Sequence, residues 1–173
     1  MHKRIPAFAI AALVGALAAC GGGSGDDPTS TPPKSNVVTF TASLAGNKEN
    51  PVNNSQGTGT FLATLDTVTG AFTYDVSFQG MTSNVTLGHI HGPAAATANA
   101  SPILNFATLP GASFTIGGLS GTAHGSTTLN AQNQLTTTIN GDSLKKLLLS
   151  GLTYVNIHTT QNGGGEIRAQ LTK

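Results

Sequence analysis

The residues in this sequence best suited to chemistry are histidines, and there are few of them. Of five in 173 residues, His89 and His91 stand one residue apart in "LGHIHGPAAA", His124 lies in "GTAHGST", His158 lies in "YVNIHTT", and His2 belongs to the N-terminal segment. Side chains alternate across a β-strand, so a strand-like run sends His89 and His91 to one face, about 7 Å apart along the chain. Two imidazoles so placed can converge on one ion at about 2.0–2.1 Å each. In the later stretch Tyr154, Asn156 and His158 share a face, and Val155 and Ile157 share the opposite one. His124 shares its face with Thr122, Ser126 and Thr128. Four strand histidines without a cysteine suit Cu(II) or Zn(II) by ligand type and geometry. The same spacing also fits histidines that face solvent or donate to backbone carbonyls at a strand end, because spacing alone does not show that the strands meet.

The carboxylates beyond residue 35 are Glu49, Asp66, Asp75, Asp142 and Glu166. Asp66 reads as a turn residue, Asp142 as a helix cap and Asp75 as the polar side of a hairpin. Glu166 lies two residues before Arg168, a spacing that predicts a same-strand ion pair. Glu49, in "GNKENPV", can anchor a loop by accepting backbone N–H bonds or reach the histidines as a carboxylate ligand. Nucleophilic catalysis finds little support: there is no Gly-x-Ser-x-Gly elbow, no cysteine after Cys20 and no glycine loop running from a strand into a helix.

The elements that must position these residues are strands. Val37–Ala45, Thr58–Asp66 and Ala71–Gln79 alternate apolar with Thr, Ser or Asp, and Asp66-Thr67-Val68-Thr69-Gly70 turns the second run into the third. Further strands are predicted at 84–91, 113–116, 122–129, 134–139, 153–159 and 166–171, the last two joined as a hairpin by "TQNGGG". One helix is predicted over 141–151, with Asp142 or Ser143 capping its start and Gly151 ending it. Short, evenly spaced strands rich in Thr, Ser and Gly predict an all-β fold: an antiparallel Greek-key β-sandwich or flattened barrel with one short helix.

The N-terminus predicts an address. Met1-His2-Lys3-Arg4 followed by an apolar run to Ala19 has the order of an export signal and is too short to span a bilayer. Leu17-Ala18-Ala19-Cys20 resembles the lipobox of bacterial lipoproteins, which implies lipidation of Cys20, anchoring to a membrane, and a cell-envelope location, with the outer membrane favoured by Gly21. Residues 20–35 read as a lipidated cysteine and flexible Gly/Ser/Pro linker, and 36–173 as one domain. Removing Lys3 and Arg4 from eight basic residues leaves six against seven acidic ones, so the exported chain is near neutral. No polybasic stripe interleaved with aromatics is present, which argues against a nucleic-acid partner.

Three stretches then line up with a known family. "FTASLAGNKENPV" with "GTGTFLATLD", "LGHIHGPA" and "YVNIHTTQNGGGEIRAQL" resemble, in that order, the chordin-type CHRD domain over residues 39–171. The matching positions include Glu49, His89, His91, Asn156, His158, Glu166 and Arg168; His124 falls outside the pattern. The resemblance implies an exported β domain without a settled biochemical activity. The order H-I-H followed by V-N-x-H is also similar to that of the copper-binding histidines in Cu/Zn superoxide dismutase, an analogy of spacing. Three readings follow. The first is an envelope protein binding copper or zinc through His89, His91 and His158, with His124 or Glu49 as a further ligand and Glu166, Arg168 and Asn156 supporting them. The second is a non-enzymatic structural or protein-binding module with a buried His/Glu/Arg hydrogen-bond network. The third is a superoxide dismutase-like enzyme.

Overall fold

A computed structural model describes residues 36–132, 135–136 and 139–173. The predicted signal segment, Cys20 and linker lie outside these residues, as do 134, 137 and 138 of the strand predicted over 134–139, whose described residues 135, 136 and 139 are not in a strand. The described chain is all-β with one helix: β1 (Val37–Ala45), β2 (Thr58–Asp66), β3 (Ala71–Gln79), β4 (Val85–His91), β5 (Pro102–Asn105), β6 (Ser113–Phe114), β7 (Gly121–Thr128), α1 (Gly141–Ser150), β8 (Tyr154–Thr159) and β9 (Ile167–Gln170). The strands form one antiparallel sheet in the order β5-β4-β8-β9-β1-β2-β3-β7-β6, curled into a half-barrel.

The curl follows from the side chains. Phe72, Tyr74, Val76 and Phe78 of β3 are buried while the residues between them are exposed, so one face of the strand is core and the other is wet. The same face carries Phe40 and Leu44 of β1, Phe61, Ala63 and Leu65 of β2, and Val155 and Ile157 of β8, and a single sheet can bury them together only by bending around them. Phe106, just after β5, meets Tyr74 of β3 with ring centroids 4.9 Å apart, which joins the two halves of the curl. The Tyr74 hydroxyl donates to the Phe106 carbonyl, and Gly125 on β7 leaves the room it needs: a Cβ there would collide with the Tyr74 hydroxyl oxygen. Backbone bonds link Val85 to Gly117 and Gly118, so the loop after β6 meets the start of β4.

Local signals are met in most places. Asp66 accepts from the backbone N–H groups of Val68 and Thr69 and makes the turn between β2 and β3. Gly151 ends α1, which lays Leu144 and Leu148 on the core. The cap is different from the one predicted: Asn140, still in extended conformation, accepts from Ser143 N–H, and Asp142 instead lies in the first turn and pairs with Lys145 at 3.3 Å.

For the site, the important region is β4-β8-β9. Every residue of β8 is buried, on both faces. The second face is covered by the loops on either side of residues 50 and 95, which are tied together by Asn50 Nδ2 donating to the Thr97 carbonyl and Asn99 Nδ2 donating to the Asn50 carbonyl. That cover is what allows polar side chains to be buried on a sheet.

Candidate metal centre

Strands β4 and β8 pair antiparallel with His91 opposite Tyr154, His89 opposite Asn156 and Leu87 opposite His158. Alternation puts His89, His91 and His158 on one face, and the diagonal between neighbouring strands brings His158 beside His89. Ring centroids are 5.3 Å apart for His89 and His91, 5.0 Å for His89 and His158, and 5.6 Å for His91 and His158. One nitrogen from each ring lies within 4.8 Å of the others, so all three fall within 4.8/√3, about 2.8 Å, of a common centre; ligation at about 2.0–2.1 Å requires only a small contraction. Each side chain is at most 7% exposed.

Hydrogen bonds set the proton positions. His91 Nδ1 is 2.9 Å from the Ala100 carbonyl and His158 Nδ1 is 3.1 Å from the Gly163 carbonyl. A carbonyl only accepts, so both Nδ1 atoms carry protons and both Nε2 atoms carry lone pairs when the rings are neutral. His89 Nδ1 is 3.1 Å from His158 Nε2 and donates to it in this arrangement. Among the described residues, His91 Nε2 is buried without a partner. Moving the His89 proton to its other nitrogen leaves three lone pairs converging on the centre.

The rings are kept neutral. Burial pushes His89 from 6.5 down to about 4, helped by the neighbouring His158 and His91. Burial does the same to His91, also to about 4, against the opposing bond to Ala100. His158 is lowered as well, again chiefly by burial. A neutral imidazole is the form that ligates.

Two charged side chains hold the loops whose carbonyls aim the rings. Arg168 on β9 is buried and donates to the Ala98 carbonyl at 2.7 Å, the Ala95 carbonyl at 3.4 Å and Asn99 Oδ1 at 2.8 Å, which fixes the loop leading to Ala100. Its guanidinium carbon lies 3.5 Å from the centroid of the Tyr154 ring, and His91 stacks on the same ring at 4.8 Å. The Tyr154 hydroxyl in turn contacts both the N–H and the carbonyl of Ala100. Glu166 accepts from Ser55 Oγ, Thr82 N–H, Thr82 Oγ1, Thr159 Oγ1 and Asn162 Nδ2, which fixes the loop carrying Gly163. Burial would raise the Glu166 pKa, but the bonds from Ser55, Thr159 and Thr82 outweigh it and hold the carboxyl below its usual value.

The predicted ion pair is therefore corrected. Glu166 precedes the start of β9, and it and Arg168 each spend their bonds on a different loop, not on each other. His124 is not brought to the cluster. It sits on β7, more than half exposed, 2.7 Å from Asp75 of β3. Glu49 is buried next to Asn156, whose Nδ2 lies 3.4 Å from Glu49 Oε2, and Glu49 is outside the histidine group. Burial raises its pKa from 4.5 to about 7 against the pull of Arg168, Asn156 and the Asn50 backbone.

Sequence reasoning missed Tyr154, Asn99, Ser55 and Thr82 as parts of the surround. Tyr154 alone left a signal, since it shares a strand face with His158; the others are joined to the site by contacts across 69 to 111 residues.

Comparison with protein-family models matches residues 40–171 to the CHRD domain. No curated protein and no solved structure matches the chain.

Proposed function

The chain belongs to the CHRD domain family, and from that premise we propose that it is an extracellular-type module that binds one transition-metal ion, copper or zinc, through His89, His91 and His158. One observation carries the reading: His91 Nε2 is a buried lone pair with no partner among the described residues, on one of three clustered neutral imidazoles. An unpaired buried acceptor costs about 1–3 kcal/mol, and a metal ion removes that cost while using the two neighbouring rings. The ring protons already donate to backbone carbonyls, the arrangement that orients and strengthens histidine ligands. Three imidazoles leave a coordination position for water or an exogenous ligand. In this reading Cys20 carries the lipid that holds the domain at a bacterial envelope membrane, with the linker as tether.

Calorimetric titration of the full chain with Zn(II) and Cu(II) tests the proposal. The expected result is a 1:1 site with Kd below about 10 μM that is lost in His89→Ala. Weaker binding, or equal binding in the variant, refutes it.

The His89–His158 bond favours a second reading, a buried hydrogen-bonded network with no metal. It predicts that His91→Ala lowers the melting temperature by the same amount with and without chelator. Under the metal reading, chelator alone lowers the wild-type melting temperature and has no effect on His91→Ala.

A further inference from the structure

A cavity of about 760 Å³ opens between β1, β9, the turn through Asn47–Asn50 and the tip of the loop at Ala96 and Thr97, and none of the three clustered histidines lines it. Two of its lining side chains hold buried oxygens with no hydrogen-bond partner among the described residues, Glu49 Oε1 and Gln170 Oε1. Neither is placed by chance. Glu49 is only 7% exposed. Gln170 is locked by its Nε2, which donates to the Ala94 and Gly151 carbonyls at 2.9 Å each, so its oxygen can only accept. Buried polar atoms nearly always have partners, and two unpaired oxygens in one cavity, an acceptor on Gln170 and a carboxyl oxygen on Glu49 that accepts when ionised and donates when protonated, call for a ligand that both donates and accepts hydrogen bonds.

The charge around the cavity narrows the class. Lys48 and Arg168 both line it, so a cation meets two positive side chains and only one carboxyl, itself shifted toward its neutral form. An anion would draw on the two cations, but Arg168 already donates to the Ala95 and Ala98 carbonyls and Asn99 Oδ1, and Lys48 to the Ser43 carbonyl. An apolar ligand leaves both unpaired. What remains is neutral and rich in hydroxyls. The walls suit such a molecule: Thr41, Ser43, Thr60 and Thr97 offer hydroxyl groups, and Val52 and Ala96 offer apolar surface of the kind that packs on the C–H faces of a sugar ring. The volume lies within the usual range of small-ligand sites. We propose that this cavity is a binding site for a neutral saccharide of one or two rings, seated by hydrogen bonds from its hydroxyls to Glu49 and Gln170.

The test uses the full chain, titrated by calorimetry and saturation-transfer NMR with glucose, N-acetylglucosamine, maltose and cellobiose, and with spermidine and inorganic phosphate as the cationic and anionic probes. At least one sugar should bind saturably with Kd near or below about 1 mM. Gln170→Leu should weaken it at least tenfold, and Ala96→Trp, at an exposed position on the rim, should abolish it without touching the core. His91→Ala and chelator should leave it unchanged, which separates this site from the metal centre. No saturable binding by any of the four sugars up to about 50 mM overturns the proposal. So does binding that survives both cavity variants, or tighter binding of spermidine or phosphate.

Discussion

Lowering the pH from 7.5 to 5.5 should scarcely weaken Zn(II) binding, because burial has already removed the protons that would compete. A metal ion must displace whatever proton its ligand holds. An imidazole with an ordinary pKa near 6.5 is about 9% protonated at pH 7.5 and about 91% protonated at pH 5.5, so each such ligand costs about tenfold in apparent affinity over that interval. Three ordinary ligands would cost about a thousandfold. His89 and His91, held at about 4, are still neutral at pH 5.5, and each contributes a change of only a few per cent. His158 is shifted in the same direction and so contributes less than an ordinary ring. The total fall should stay below about tenfold. Calorimetry at pH 7.5, 6.5 and 5.5, repeated in buffers of different ionisation enthalpy, reads both the affinity and the protons released. The reasoning predicts fewer than one proton released at pH 5.5. A loss of a hundredfold or more, or release of nearly three protons, would show that the rings are charged at that pH and refute the account of how they are kept neutral.

Arg168→Met leaves the Ala95 and Ala98 carbonyls and Asn99 Oδ1 without their donor and should lower stability by about 3 kcal/mol in urea unfolding, with Zn(II) affinity down about tenfold through misplacement of Ala100. Glu49→Gln tests the raised carboxyl. The folded state holds the Glu49 proton more tightly than the unfolded state does, so ionisation penalises the fold above pH 4.5, with the full penalty above about 7. The variant should therefore gain on wild type by about 1–2 kcal/mol between pH 4.5 and pH 8, and a constant difference across that range would contradict it. Gly125→Ala forces a Cβ against Tyr74 and should cost about 1–3 kcal/mol, whereas Gly163→Ala, with nothing within 4 Å of its Cβ, should unfold at the wild-type urea midpoint.

What could be read in the sequence was whatever depends on parity. Alternation in β1, β2 and β3 is unambiguous because one face of each is core and the other is exposed, and the Asp66–Gly70 turn then has one geometry available to it. Parity also placed His89, His91 and His158 correctly on faces. It could not say which strands are neighbours: β7 is separated from β4 by five strands in the sheet, so His124, equal to the others in residue type and alternation, ends up elsewhere. β5 was missed because "PILN" starts with proline and is a short apolar run at the sheet edge, with no alternation to report. At the start of α1 three capping residues stand within four positions, and the choice of Asn140 depends on backbone angles that composition does not carry. The Glu166–Arg168 pairing failed for a related reason. Two residues of like parity share a face only while both are in a strand, and β9 begins at Ile167.

That failure explains how the site is held. The loop that presents Ala100 to His91 has alanine at five of its seven positions from Ala94 to Ala100, and the loop that presents Gly163 to His158 contains three consecutive glycines. Neither has side chains large enough to anchor itself by burial, yet each must hold one carbonyl to within hydrogen-bond tolerance of a ring nitrogen. Arg168 and Glu166 act in place of that missing core. A buried charge is costly unless hydrogen bonds satisfy it, and here the satisfying groups belong to the loops that need fixing, so desolvation is offset by the same bonds that give the loops their shape. Had the two charges paired with each other, as their spacing suggests, both loops would have lost their anchor. Placing them on opposite sides of the β9 start, facing different loops, lets one short motif orient two imidazoles on two other strands without touching either.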